Sequence, residues 1–175
     1  MKNSDIPNEK PEVFKGVITY RGERCDIHHV AANNFDDIPD ELKIKAHALC
    51  LHNGQIVLVH LTKWNIWSIP GGTREPGESI EETLHREVRE ETNCAVVDYA
   101  PIAYQKVMSP SGDIRHYRLV YRCNVVPEGD FTEDPAGHVR KIAWVPPHEA
   151  EAHVEDKDFK KVVFRSALDL KDDKE

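Results

Sequence analysis

Long hydrophobic runs are missing from this chain: no apolar stretch in its 175 residues approaches the length that spans a bilayer. Met1 to Lys15 is polar and charged and lacks the apolar centre of a secretory signal. No membrane partner is expected, and the expected location is cytoplasmic. Cysteine is sparse as well. Cys25, Cys50, Cys94 and Cys123 are far apart, no pair has metal-ligand spacing, and each lies in or beside an apolar segment. Buried free thiols are expected rather than disulfides or zinc. Basic patches are also lacking, and the net charge is -8, which argues against a nucleic-acid partner. No internal repeat is present.

Acid is what the chain has, and it is concentrated in GTREPGESIEETLHREVREETNC, Gly72 to Cys94. Pro70, Gly71, Gly72, Pro76 and Gly77 make the first part of this stretch a loop. A helix follows, with Ser79 at its N-cap and Glu82 completing a capping box in front of Ile80. Asn93, a residue that tolerates the left-handed conformation, marks its end. At about 100° per residue, Ile80, Leu84 and Val88 form one apolar stripe. Glu91 falls close to the centre of that stripe, Glu87 to one side and Glu90 further round the same flank, while His85 and Arg89 point away. A solvated face with i,i+4 pairs explains Glu81, Glu82, His85 and Arg89. It does not explain Glu87 and Glu91, because carboxylates beside a buried face are costly unless cations balance them. A hard divalent cation with oxygen ligands is the natural counter-charge.

These residues resemble the box of the Nudix hydrolases: a glycine, five residues, a glutamate, seven residues, then Arg-Glu-apolar-any-Glu-Glu-any-Gly-apolar. Gly72, Glu78, Arg86, Glu87, Val88, Glu90, Glu91 and Cys94 occupy the required positions, and Asn93 stands where the family has glycine. The resemblance implies an α/β Nudix fold, a mixed β-sheet sandwiched between α-helices. It also implies hydrolysis of a nucleoside diphosphate linked to another moiety, with Mg²⁺ or Mn²⁺ as cofactor and a small nucleotide as substrate. By the same resemblance Glu87, Glu90 and Glu91, with Gly71, form the metal site, and Glu87 is in some members also the base. Arg86 orients a glutamate, and Glu78 stabilises the loop or reaches metal through water. A further carboxylate is expected from a distal loop, and Glu128, Glu133 and Asp134 are all open for that place.

The remaining chain is read around this box. Residues 1–42 are an N-terminal extension, with a polar lead and a β-hairpin over 13–31 turned at Arg21-Gly22-Glu23. A homodimer through this hairpin and an added layer on the monomer both stay open. His28 and His29, adjacent on a strand, point to opposite faces and make a poor pair of ligands. Asn33 to Glu41 reads as a polar linker, and residues 43–170 as the Nudix domain. That domain opens with two strands turned at Asn53-Gly54. Later come an extended segment interrupted at Pro101, a turn at Ser109–Gly112, a strand over 115–126, an acidic loop over 127–137 and a closing strand to Val145. A short helix near 148–152, an amphipathic helix over 156–170 and a frayed tail, 171–175, complete it. Candidate substrate contacts are Glu78, Trp64, Arg118 and Glu133, with Arg115 and Arg122 on the same strand as Arg118. The most favoured substrate is a nucleoside di- or triphosphate derivative, followed by ADP-ribose or a nucleotide sugar. A non-catalytic nucleotide sensor is the alternative of another class.

Overall fold

Two tight turns pin the register of the sheet. Arg21 (φ 50°) and Gly22 (φ 80°) take positive φ, as do Asn53 (φ 49°) and Gly54 (φ 74°), a backbone whose twist matches that of the flanking strands. In the computed structural model, which describes residues 13–155 and 159–164, the first turn joins β1 (Val13–Tyr20) to β2 (Glu23–Ala31). The second joins β3 (Lys43–His52) to β4 (Gln55–Leu61). Next come β5 (Ile66–Ser68), β6 (Gly71–Thr73), α1 (Ile80–Thr92), β7 (Cys94–Met108), β8 (Ile114–Pro127), β9 (Val139–Val145) and α2 (Pro147–His153). Residues 159–164 are helical. The polar lead, much of the amphipathic helix expected over 156–170, and the tail lie outside the described residues.

The nine strands form one sheet in the order β1-β2-β7-β8-β3-β4-β5, with β6 on β3 and β9 on β4. The β3–β8 pair is parallel and makes the sheet mixed; the other pairs are antiparallel. Because side chains alternate across a strand, β3 feeds two cores. Ala46, Ala48 and Cys50 pack with Ile80, Leu84 and Val88 of α1. Leu49 and Leu51 pack on the other face with Ala150, Val154, Phe159, Val162 and Phe164. Helices therefore cover both faces, as the mixed α/β fold requires. The four cysteines are free and buried.

Three expectations are corrected. Gly71–Thr73, read as loop from its glycines, is a short strand against Lys45–His47. Pro101 does not interrupt β7; the strand runs on through it, with register shifts at Val96/Asp98 and Pro101/Ala103 that absorb the irregularity. The segment 33–41 is more than a polar linker, because Phe35 and Ile38 are buried in the core under α1, Phe35 edge-on to Tyr121 at 5.2 Å between ring centroids. The hairpin β1–β2 extends the main sheet through β2 and β7.

Helix α1 begins and ends as its sequence dictates. The Ser79 hydroxyl accepts from the Glu82 N–H at 3.1 Å, and the Glu82 carboxylate accepts from the Ser79 N–H at 2.7 Å. Asn93 closes the helix at φ 55°, ψ 38°, and its N–H donates to the Arg89 carbonyl; its side-chain amide donates to the Asp130 carbonyl at 3.1 Å. Asparagine thus supplies the left-handed backbone and ties the helix to the acidic loop. Ser79→Ala removes one half of the reciprocal cap and is expected to lower unfolding free energy by about 1 kcal/mol. Urea denaturation measures this, and an unchanged midpoint would show that the cap does not bear on stability.

Candidate active site

The apolar stripe of α1 carries a carboxylate into the core. Glu91 is 4% exposed. Among the described residues its one hydrogen bond comes from the Gly71 N–H, at 2.9 Å, and no cation pairs with it. Burial pushes its pKa up to about 8, and the charges of Glu87, Asp134 and Glu90 push the same way, against the Gly71 N–H. Glu87 is raised too, chiefly by burial, with Arg86 opposing. A carboxylate in this state is short of positive charge.

Both glycines that precede the helix are required by close approach. Gly71 takes φ +151°, and a Cβ there would run into the Ala46 carbonyl and the His47 ring. A Cβ on Gly72 would overlap the Glu87 carboxylate itself. Strand β6 therefore lies directly against one carboxylate and donates to another. Pairing with β3 holds it there.

Arg86 organises what remains. Its Nε donates to Glu78 Oε1 at 2.6 Å and its Nη2 to Glu78 Oε2 at 3.0 Å, a forked pair. Its Nη1 reaches Glu87 Oε1 at 2.8 Å and Glu90 Oε2 at 3.2 Å, and its Nη2 also donates to the Thr73 carbonyl at 3.0 Å. Glu78 accepts further from the Thr83 hydroxyl and the Glu75 N–H. Its pKa is held down to about 2, with Arg86 the largest cause. Glu78 is thus committed to bracing Arg86 and has little capacity left for a substrate.

The loop carboxylates separate by environment. Asp134 is buried and accepts from the N–H groups of Ala136, His138 and Val139, and its charge is felt at Glu87 and Glu91. Glu128 forms an exposed pair with Arg89 at 2.8 Å, and Glu133 is exposed. Trp64 is 60% exposed, with the Lys63 ammonium over its ring. Trp67 packs against the core opposite α1. Arg115 is engaged with Glu23 at 2.9 Å. Arg118 lies beside Lys45 on the neighbouring strand, a lysine that the sequence reading passed over. Alternation along KIKAHALCLH places Lys45 on the same face as His47, but only the parallel pairing of β3 with β8 brings Arg118 there.

The donor set fits a hard cation: carboxylate oxygens of Glu87, Glu90 and Glu91 beside the backbone of Gly71. Among the described residues no three acidic, histidine or cysteine side chains are already gathered as a cage, since Arg86 holds Glu87 and Glu90. Side-chain rotation of those two glutamates is what binding asks for.

The Glu91 shift has a signed consequence. Its folded-state pKa of about 8 lies above the ordinary 4.5, so the metal-free native state keeps a proton that the unfolded chain releases. Stability then falls as pH rises from about 4.5 to about 8. Metal-free protein is expected to melt lower at pH 8.5 than at pH 5.5, with Mg²⁺ raising Tm more at the higher pH and Glu91→Gln flattening the decline. Equal Mg²⁺ effects at both pH values, with no change in the variant, would contradict this.

The NUDIX domain family matches residues 42–166. A Caenorhabditis elegans protein named as nudix hydrolase 1 is 32% identical over 114 residues, covering 60% of this chain and 29% of that relative. The chain therefore spans less than a third of that relative's length. The Bacillus subtilis pyrophosphohydrolase BsRppH superposes with TM-score 0.63 at 20% identity, over 83% of this chain and 92% of that one. The NUDIX domain of Shewanella oneidensis NrtR, solved with ADP ribose, gives 0.57 at 15% identity over 77% and 92%. These likenesses carry the fold, and the family match over residues 42–166 carries the assignment: the chain belongs to the Nudix family.

Proposed function

We propose that this chain is a metal-dependent Nudix pyrophosphohydrolase that cleaves the phosphoanhydride of a nucleoside di- or triphosphate derivative. The observation that carries the reading is Glu91, a buried carboxylate with an N–H partner and, among the described residues, no cation, set one helical turn from Glu87. Members of the family generally use divalent metal ions. Bound Mg²⁺ or Mn²⁺ supplies charge neutralisation at the anhydride and a water of lowered pKa.

The residues divide the work. Glu87, Glu90 and Glu91 would hold the cation, with Gly71 alongside. The Gly71 N–H orients Glu91, and Arg86 orients Glu87 and Glu90. Glu78 keeps Arg86 in place and acts as a positioning residue. Attack of water on phosphorus breaks one P–O bond of the anhydride and yields two phosphate products; the proton leaves toward a carboxylate. Glu87, half-buried with a raised pKa, is suited to receive it.

ADP-ribose or a nucleotide sugar is the second substrate class, supported by the ADP ribose bound to the NrtR domain. A binding module without turnover is the other alternative. The full set of box carboxylates favours an enzyme. A hydrolysis screen with Mg²⁺ and Mn²⁺ over nucleoside triphosphates, ADP-ribose and nucleotide sugars separates the three; binding without release of product would favour the sensor.

Glu87→Gln and Glu91→Gln should each lower kcat at least about a hundredfold, equivalent to roughly 2.7 kcal/mol of barrier, with the fold retained by circular dichroism. Near-normal turnover in either variant would overturn the assignment. Gly72→Ala keeps every charge but pushes a methyl group into the Glu87 carboxylate, and is expected to weaken Mg²⁺ binding about tenfold or more by calorimetry. Unchanged affinity would show that Glu87 is not held by that contact.

A further inference from the structure

Just ahead of the span that matches the Nudix family, residues 42–166, the chain is anchored and then reaches into the box loop. Phe35 and Ile38 are buried under α1, and the Ile38 N–H donates to the Phe35 carbonyl at 3.1 Å. A single 3-10 turn, Asp40–Leu42, follows and leads into β3. The apolar anchors thus fix where Asp40 sits, although its own side chain is 67% exposed. Phe35, Ile38 and Asp40 all precede the family span, so their use belongs to this chain.

Asp40 meets Arg74. The Arg74 Nη1 donates to the Asp40 carbonyl at 2.9 Å and its Nη2 to Asp40 Oδ2 at 2.9 Å. Its Nε donates to the Glu78 carbonyl at 2.6 Å, and its backbone N–H to the Ile44 carbonyl at 2.8 Å. One guanidinium therefore bridges the box loop from Arg74 to Glu78 and ties it to a segment 34 positions earlier. Glu78 is the residue whose carboxylate holds Arg86, and Arg86 holds Glu87 and Glu90. Contacts run without a break from Asp40 through Arg74, Glu78 and Arg86 to two of the box glutamates. An exposed ion pair alone adds little, but two of the three acceptors of this guanidinium are backbone carbonyls, and holding them holds the loop.

From this we infer that Arg74 is a positioning residue of the site, with Asp40 as its outer support. Together they fix the loop on which the Glu78–Arg86 fork stands, and so fix where Glu87 and Glu90 lie for a divalent cation. The inference rests on the proposed hydrolase reading for its catalytic consequence, though cation binding without turnover is enough to test it. Groups behind the ligands set how closely the ligands match a metal, and a ligand that wanders binds weakly. Lysine is no substitute for Arg74, because one ammonium nitrogen does not reach acceptors on both sides of a guanidinium.

The test titrates nucleotide-free protein with Mg²⁺ by calorimetry, for the wild type, Arg74→Gln, Arg74→Lys, Asp40→Ala, Glu78→Gln and the double variant Arg74→Gln/Glu78→Gln. Mg²⁺ affinity is expected to fall about tenfold in Arg74→Gln and in Arg74→Lys, and about threefold in Asp40→Ala, which keeps the backbone acceptor. Adding Arg74→Gln to Glu78→Gln should change affinity by less than about twofold, because both act through one fork. In steady-state hydrolysis kcat should fall about tenfold in Arg74→Gln, with KM for the nucleotide within about threefold of wild type. Thermal melts near that of the wild type establish folding; should Arg74→Gln fail to fold, Arg74→Lys and Asp40→Ala carry the test. Unchanged Mg²⁺ affinity in folded Arg74→Gln and Arg74→Lys, or losses that multiply in the double variant, overturn the inference and leave the hydrolase reading intact. Absence of Mg²⁺ binding by the wild type overturns it together with the metal site. Loss of Mg²⁺ affinity through the shared fork, in a protein that hydrolyses no nucleotide, removes the hydrolase reading and supports the positioning role.

Discussion

A buried carboxylate with no cation beside it among the described residues is the constraint on which the rest of the site depends. Glu91 sits on the apolar stripe of α1, where burial alone penalises its charge. The surrounding architecture limits that penalty without removing it. One backbone N–H from Gly71 favours the ionised form, while Glu87, Glu90 and Asp134 oppose it. Such a site is stable with a proton or with an added cation, and it is poorly stable with neither. That choice links a local packing feature to chemistry at neutral pH.

Around Glu91 the chain separates rigidity from reactivity. The Glu78–Arg86 fork, backed by Thr83 and Glu75, is a fully partnered network, and its function is to hold. Glu87 and Glu90 each share a single Arg86 nitrogen and keep free oxygens with which to bind. Strand β6 connects the two by packing its glycine backbone against Glu87 and Glu91. Phosphoanhydride hydrolysis asks for this combination, since a polyanionic substrate is positioned and neutralised rather than covalently transformed by the protein.

Helix α1 was legible because its signals are local. The capping box, the Asn93 stop and the 100° periodicity lie within a few residues of the atoms they control, and they place Glu91 on the buried stripe without reference to any long-range contact. The rest depended on partners remote in sequence. Gly71–Thr73 looks like loop by composition, and only pairing with β3 makes it strand. Phe35 and Ile38 sit in a polar segment, so their burial under α1 could not be read from their neighbours. Asp134 is distinguished from Glu133 by three backbone donors that the fold of the loop directs at it. Lys45 meets Arg118 through a parallel pairing across 73 positions of chain, a relation that spacing does not encode.

The central claim is that the acidic edge of α1 grips a divalent ion. Its most direct test is anomalous diffraction from crystals soaked in Mn²⁺, with data collected at the manganese edge. The account predicts an anomalous peak within coordination distance of Glu87 and Glu91, with Arg86 still bound to Glu78. No peak there, with the glutamates turned to solvent at saturating Mn²⁺, would contradict it.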